Sequence, residues 1–318
     1  MTVSTVGSFR QFSEHVVKRV VRTVLFGLFR ATGVPFLIRE TRQRARVTIL
    51  VYHALPAARA DIHFVALRRR YNVISLSDFL TARSIGTMER LPSKPLIITF
   101  DDGHRGNYDL RSVLARSRVP VTIFLCSGLV GTQRHFWWSH APDPAAVQAW
   151  KKLPDEERVA ALRDCGHTDT REYDTRQALS VDEVEEMKSL VDFQCHTVFH
   201  PILPACSAER ARSEIFESKT TLEQKLGLTI YAMAYPNGDC SDREVELLRE
   251  ASYTCGLTMQ PGFNDIETDV FRLRRLAVSD DAGVNELLVK ASGLWAVLRA
   301  IAQMLVNGTR RIVGAHPV

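Results

Sequence analysis

Two kinds of hydrophobic block follow one another along the chain. Short, near-continuous apolar runs, "RVTILVYHAL" (46–55), "KPLIITFDDG" (94–103), "VPVTIFLC" (119–126), "VDFQCH" (191–196), "IYAMAYP" (230–236) and "YTCGLTM" (253–259), read as strands covered on both faces. Between them lie segments with helical spacing: a short helix around 77–83, then "YDLRSVLARSR" (108–118), "SVDEVEEMKS" (180–189) opened by a Ser180 cap, a long helix at 207–227 closed by Gly227, and "SDREVELLREA" (241–251). Strands alternating with helices predict a parallel α/β architecture. Residues 131–180 break the rhythm with a polar, charged stretch and read as an insertion.

The two ends of the chain carry a different pattern. In "HVVKRVVRTVLFGLFRATGVPFLI" (15–38), Val17, Val20, Val24 and Leu28 share one helical face, while Arg22 and Arg30 argue against a membrane span. Residues 1–46 hold nine Lys/Arg, Arg10 among them, against Glu14 and Glu40, so this segment is +7 and the rest of the chain −2, for a total of +5. The expected divisions are a basic amphipathic extension over 1–45, a catalytic domain over 46–283 with its insertion at 131–180, and a C-terminal amphipathic helix over 284–318. In that last part Lys290 and Arg299 again speak against a span. An anionic membrane surface suits the basic extension as a partner. Nucleic acid does not, because the basic residues come without a stacking platform or a known motif. Six cysteines without a CxxC pair, and no short cleavable apolar leader, point to reduced thiols and a cytoplasmic protein, peripheral on the inner face of the membrane.

Chemistry is expected where parallel strands end, because the loops at that edge build the site. Tyr52-His53, Asp101-Asp102, His196 with His200, and Tyr235-Pro236-Asn237-Gly238 fall at such ends. Two adjacent buried carboxylates repel each other unless a cation or a proton takes up one of them. His196 and His200, about one helical turn apart, can face a common point, and an aspartate opposite completes a His-His-Asp set with positions left open for water and substrate. One aspartate would then hold the cation and the other stay free as a base; the pattern alone does not say which.

"TFDDG" (99–103), "HTVFHP" (196–201) and "YPNG" (235–238), in this order, resemble the motifs of the NodB-homology polysaccharide deacetylases, metal-dependent carbohydrate esterases of family 4. The resemblance spans roughly 46–280 and includes "FRLRRLAV" (271–278). It implies a distorted (β/α) barrel with helical N- and C-terminal extensions. It also implies Asp102, His196 and His200 as ligands of a divalent metal (zinc first, with nickel, cobalt or iron able to replace it), Asp101 as general base, and the main-chain N–H of Tyr235 at the oxyanion. Thr197 would bond either behind a metal ligand or in the acetyl pocket, and Pro236 would border the substrate.

The chain departs from the commonest family pattern twice: no arginine stands two residues before Pro236, and no "LHD"-like motif follows the last strand. It is similar in this to the circularly permuted exopolysaccharide deacetylases, in which "YH" sits on the first strand, so that His53 becomes the expected acid. Arg272, Arg274 or Arg275 would steer the base, with Arg272 also near substrate. Trp137 and Trp138 would form a sugar-stacking wall or pack the insertion onto the barrel. The implied reaction is N-deacetylation of a GlcNAc-like sugar in a polysaccharide or lipid-linked glycan, with acetate released. An O-acetyl esterase or small-amide deacetylase could use the same site, and a catalytically silent glycan-binding protein would be expected to lack a ligand, which this chain does not.

Overall fold

A computed structural model of the chain describes the backbone of residues 4–313 and the side chains of residues 17–305. The ends of both expected extensions, residues 1–3 and 314–318, and the side chains of Arg10 and Glu14, lie outside the described residues. The strands are β1 (Thr48–Tyr52), β2 (Asn72–Val73), β3 (Pro95–Phe100), β4 (Thr122–Leu125), β5 (Asp192–Cys195), β6 (Ala232–Ala234), β7 (Cys255–Leu257) and β8 (Leu276–Ala277). The helices are α1 (Ser4–Ala31), α2 (Val34–Thr41), α3 (Ala57–Arg68), α4 (Leu76–Ser84), α5 (Arg111–Ser117), α6 (Pro144–Trp150), α7 (Asp155–Asp164), α8 (Val181–Met187), α9 (Ala208–Leu226), α10 (Asp242–Glu250), α11 (Val284–Ala291) and α12 (Leu294–Val313).

All named strand pairs are parallel, in the order β7-β6-β5-β4-β3-β1-β8, with β2 beside the start of β3. Leu273, just before β8, bridges in parallel to Leu257 of β7 through Leu273 N–H to Gly256 O (2.9 Å) and Thr258 N–H to Leu273 O (2.8 Å). The two edges of the curved sheet therefore meet through a kinked last segment, which gives the distorted barrel that the alternating pattern implies.

Alternation along each strand divides the core. Leu50, Tyr52, Ile98, Phe100, Ile123 and Leu125 point outward against Phe64 of α3, Val113 of α5 and Leu248 of α10. Ile49, Ile97, Phe124, Ala232, Ala234 and Leu257 point inward, closed off by Leu76 and Phe79 of α4. Each fully buried side chain of this size contributes about 1.5–3 kcal/mol, so the barrel wall is well able to carry strained loops at one end.

Some local expectations need correcting. The helix α3 has no strong periodicity and was not legible beside β1. The insertion holds two helices, α6 and α7. Neither terminal run is one helix: α1 and α2 bend by 55° at Gly33, and α11 and α12 bend by 73° after Gly293. Among the described residues no single helix is long and apolar enough to cross a membrane.

Candidate active site

The chain leaves β3 by an abrupt turn. Asp101 keeps the ladder, its N–H donating to Tyr52 O at 2.9 Å, but Asp102 and Gly103 both adopt left-handed backbone, φ 75° and 67°. At Gly103 a Cβ would lie 2.6 Å from Leu125 Cδ2, so only glycine lets β3 and β4 close at this point. The turn sends the two carboxylates into different surroundings.

Asp101 is buried and grips Arg275 in a two-pronged pair, Nη1 to Oδ1 at 2.7 Å and Nη2 to Oδ2 at 2.8 Å. Arg275 is itself fully enclosed, with Nε donating to Thr258 O at 2.8 Å and its guanidinium over the Phe124 ring. Burial pushes the Asp101 carboxyl upward, but the Arg275 charge overcomes this and holds it below the usual carboxylate range. Of the three arginines expected beside Asp101, Arg275 is the one that pairs with it. Arg272 instead pairs with Asp269 and Asp242 at the surface, outside the pocket, so its expected place near substrate is corrected.

Asp102 faces the histidines. Its Oδ1 is buried, accepts no hydrogen bond, and lies 3.4 Å from His196 Nε2 and 3.6 Å from His200 Nε2. Ligand atoms bound tetrahedrally to a cation at about 2.0–2.2 Å stand roughly 3.3–3.6 Å apart, so this set fits a divalent ion. His196 Nδ1–H donates to Ala234 O at 2.7 Å, which leaves the Nε2 lone pair free toward Asp102. Burial and then the neighbouring His196 push His200 down to about 3, so it is neutral, as a ligand must be.

A loop, not a helical turn, brings the two imidazoles together, with ring centres 4.7 Å apart and planes at 78°. Thr197 and His200 both have left-handed backbone, as do Asp102 and Asn237, so four strained non-glycine residues ring one point. Such positions cost about 1–3 kcal/mol each and persist only where neighbours enforce them. Those neighbours are identifiable. Thr197 Oγ1 accepts the His200 N–H (3.0 Å), Glu214 of α9 accepts the Val198 and Phe199 N–H groups (2.8 and 2.9 Å), and Trp137 Nε1–H donates to His200 O (3.0 Å). Burial pushes the Glu214 carboxyl up to about 7.

These contacts reassign two expected substrate residues. Thr197 is buried and props the loop rather than lining an acetyl pocket, and Trp137 is buried under Arg158 rather than offered to a sugar. The adjacent Trp138, perpendicular to Trp137, does face the cavity, edge-on to His200 at 4.6 Å.

A cavity of about 310 Å³ is lined by His53, Asp101, Asp102, His196 and His200 with Trp138, Val147, Lys151, Asn237 and Met259. His53 is exposed on its rim. The Asp280 carboxylate, just beyond β8, fixes its backbone by accepting the His53 and Ala54 N–H groups at 3.1 and 3.0 Å. The main-chain N–H of Tyr235 is spent on Leu257 O at 3.0 Å, so it is not free for an oxyanion, and Pro236, buried behind Asn237, has none to offer. Gly238 is forced, since a Cβ there would meet Met259 N at 2.3 Å.

The sequence reading missed Asp280, Glu214, Asn237 as a wall residue, Lys151 and Met259. Asp280 alone had a signal, an acidic residue shortly after the apolar end of "FRLRRLAV" (271–278). The others come from elements whose approach to the pocket is set by tertiary packing.

The polysaccharide deacetylase family model matches residues 89–256. The Bacillus subtilis (strain 168) protein YxkH is 22% identical over 251 residues, 76% of this chain and 74% of that one. Among solved structures, the Streptococcus pyogenes deacetylase PplD in complex with acetate aligns with a TM-score of 0.58 at 20% identity, covering 78% of this chain and 99% of that one. IcaB from Ammonifex degensii aligns at 0.55 and 20%, covering 78% and 97%. The BpsB deacetylase domain from Bordetella bronchiseptica aligns at 0.52 and 18%, covering 74% and 95%. At these identities the structural likenesses are likenesses of fold.

Two measurements check the site. Replacing His200 by alanine should abolish stoichiometric metal, read by elemental analysis of the purified protein, with the circular dichroism spectrum kept; undiminished metal would remove His200 from the ligand set. Arg275→Leu should leave Asp101 as an unpaired buried charge and cost about 3–5 kcal/mol in urea unfolding at pH 7. A carboxyl held low stabilises the fold above its ordinary pKa of about 3.9 and loses that contribution on acidification. Without Arg275, burial pushes the Asp101 carboxyl up with His196 and His53 left to oppose it, so the variant's deficit should shrink as the pH falls toward about 4 and further below it. Adding Asp101→Asn should restore part of the loss at pH 7, and a double variant no more stable than Arg275→Leu would contradict the pairing.

Proposed function

Because the chain belongs to the polysaccharide deacetylase family, we propose that it hydrolyses the acetamide of a GlcNAc-like residue in a polysaccharide or lipid-linked glycan, releasing acetate and leaving a free amine. The observation that carries this reading is the division of labour between adjacent aspartates in one pocket. Asp101 is held ionised by Arg275, and Asp102 presents a bare oxygen to two imidazoles. That PplD was solved with acetate, the product of such a reaction, agrees with it.

Asp102, His196 and His200 would hold the divalent ion, zinc first by their nitrogen and oxygen donors, with nickel, cobalt or iron as rivals. Bound there, such an ion acidifies water and polarises a carbonyl. The rest of the chemistry belongs to side chains of this chain. Asp101 accepts the proton of the attacking water, and Arg275 keeps it ready to do so at some cost in basicity. The first main-chain N–H after Ala234 that neither the ladder nor a proline ring removes is that of Asn237, and we assign the oxyanion contact to it. His53, steadied by Asp280, gives a proton to the departing amine. Trp138 and Val147 supply an apolar wall for the sugar ring, and Lys151 a donor for its hydroxyl groups. The strand that carries His53 comes first in the chain yet lies between β3 and β8, which supports the permuted arrangement.

N-acetylglucosamine oligomers incubated with metal-loaded protein should yield acetate and primary amine in equal amounts. Asp101→Asn should keep its metal and lose roughly 10²–10⁴-fold in rate. Acetate without amine from an O-acetylated glycan would point to an esterase instead, and loss of metal from the variant would reverse the roles of the two aspartates.

A further inference from the structure

The helix α1 sits on the barrel the wrong way round for a soluble amphipathic helix. Two of its arginines reach toward the barrel: Arg22 pairs with Glu286 and Asp281 at 2.6 Å each, and Arg30 donates to Asn285 at 2.6 Å. Phe26 and Phe29 close on Trp295, with ring centres 5.0 and 6.1 Å apart. Its apolar stripe faces outward, with Val17, Val20, Val21, Val24 and Leu28 each more than half exposed. After the bend at Gly33, α2 continues this with Phe36 and Leu37, both 59% exposed. On α12, which packs against α2 and α11, Val297, Ile301, Met304 and Leu305 form a second outward stripe at helical spacing.

The concentration is confined to these elements. Among the described residues, nine exposed large apolar side chains lie on α1 and α2 and four on α12, against five on all the rest. Basic residues flank them: residues 17–46 carry Lys18, Arg19, Arg22, Arg30, Arg39, Arg42, Arg44 and Arg46 against Glu40 alone, and Arg19, Arg42 and Arg44 are exposed. The inner side of α12 lines a groove, through Trp295, Arg299 and Gln303, that meets the catalytic pocket at Met259.

We propose that α1, α2 and the outer stripe of α12 dock the protein on the surface of an anionic lipid bilayer. Apolar side chains flanked by arginine and lysine fit the boundary between acyl chains and acidic headgroups, where burial and charge attraction add. The bends and the arginines make this a helix pair that lies on the membrane rather than crossing it. A second copy of the chain is the poorer occupant, since self-pairing would bring two basic segments together, each with Arg19, Arg42 and Arg44 exposed. Docking here would hold α12, whose other side lines that groove, at the bilayer surface.

The test is flotation of the full chain with vesicles of phosphatidylethanolamine containing phosphatidylglycerol, and with vesicles of phosphatidylcholine alone. The protein should float with the first and not the second. Raising the salt, or combining Val20→Glu, Val24→Glu and Leu28→Glu at these exposed positions, should lower binding on the order of tenfold or more. The circular dichroism spectrum of that variant should be unchanged, and acetate release from a soluble N-acetylglucosamine oligomer, measured on the same samples, reports the catalytic reading separately. Failure of the wild-type chain to float, or equal flotation of the variant, would overturn the proposal. A wild-type dimer that does not float and that the variant converts to monomers would assign the face to a second copy instead.

Discussion

The pairing of Asp101 with Arg275 inside the barrel is the contact on which the site depends. Two neighbouring carboxylates at the end of a buried strand could not both stay ionised without it. Arg275 stands in the segment that closes the sheet, so its pair with Asp101 forms only when the sheet has curled and Leu273 has met β7. The pair is fully desolvated and geometrically matched, and each partner would be costly to bury alone. Once Asp101 is neutralised in this way, Asp102 is the single acid left facing His196 and His200, and a cation is the natural counter-charge for it.

The same logic explains why so much strain gathers at one place. Left-handed backbone at Asp102, Thr197, His200 and Asn237 turns the chain inward on one pocket after three strands, β3, β5 and β6. Each strained loop has its own support: Gly103 against Leu125, Glu214 beneath Val198 and Phe199, Trp137 against His200 O, and Gly238 against Met259. The insertion earns its place here, since it supplies Trp137 as a prop and Trp138, Val147 and Lys151 as cavity wall.

Much of this was legible in the sequence because the strands are apolar on both faces and end abruptly on charged or polar residues. Asp101, Asp102, His196, His200 and His53 stand out for that reason, and the structure brings them to one cavity. What escaped was decided by register and direction. Arg272, Arg274 and Arg275 are indistinguishable in a row, yet only one points into the barrel from an irregular strand. Tyr235 lies two residues too early, because a pattern of apolar letters does not tell whether the last N–H belongs to the ladder. Trp137 and Trp138 are adjacent in sequence and perpendicular in space. On α1 the periodicity of the valines was visible, but the side on which the helix attaches was not, since it is set by Asp281 and Glu286 some 260 residues away in the chain.

The central claim, that Asp102, His196 and His200 hold a metal beside a base kept ionised by Arg275, is tested most directly by anomalous diffraction from crystals grown with zinc and acetate. The account predicts one anomalous peak about 2.0–2.2 Å from Asp102 Oδ1, His196 Nε2 and His200 Nε2, with acetate between that peak, Asp101 and Asn237. A peak ligated by Asp101 in place of Asp102, or a pocket that binds acetate with no anomalous peak, would contradict it.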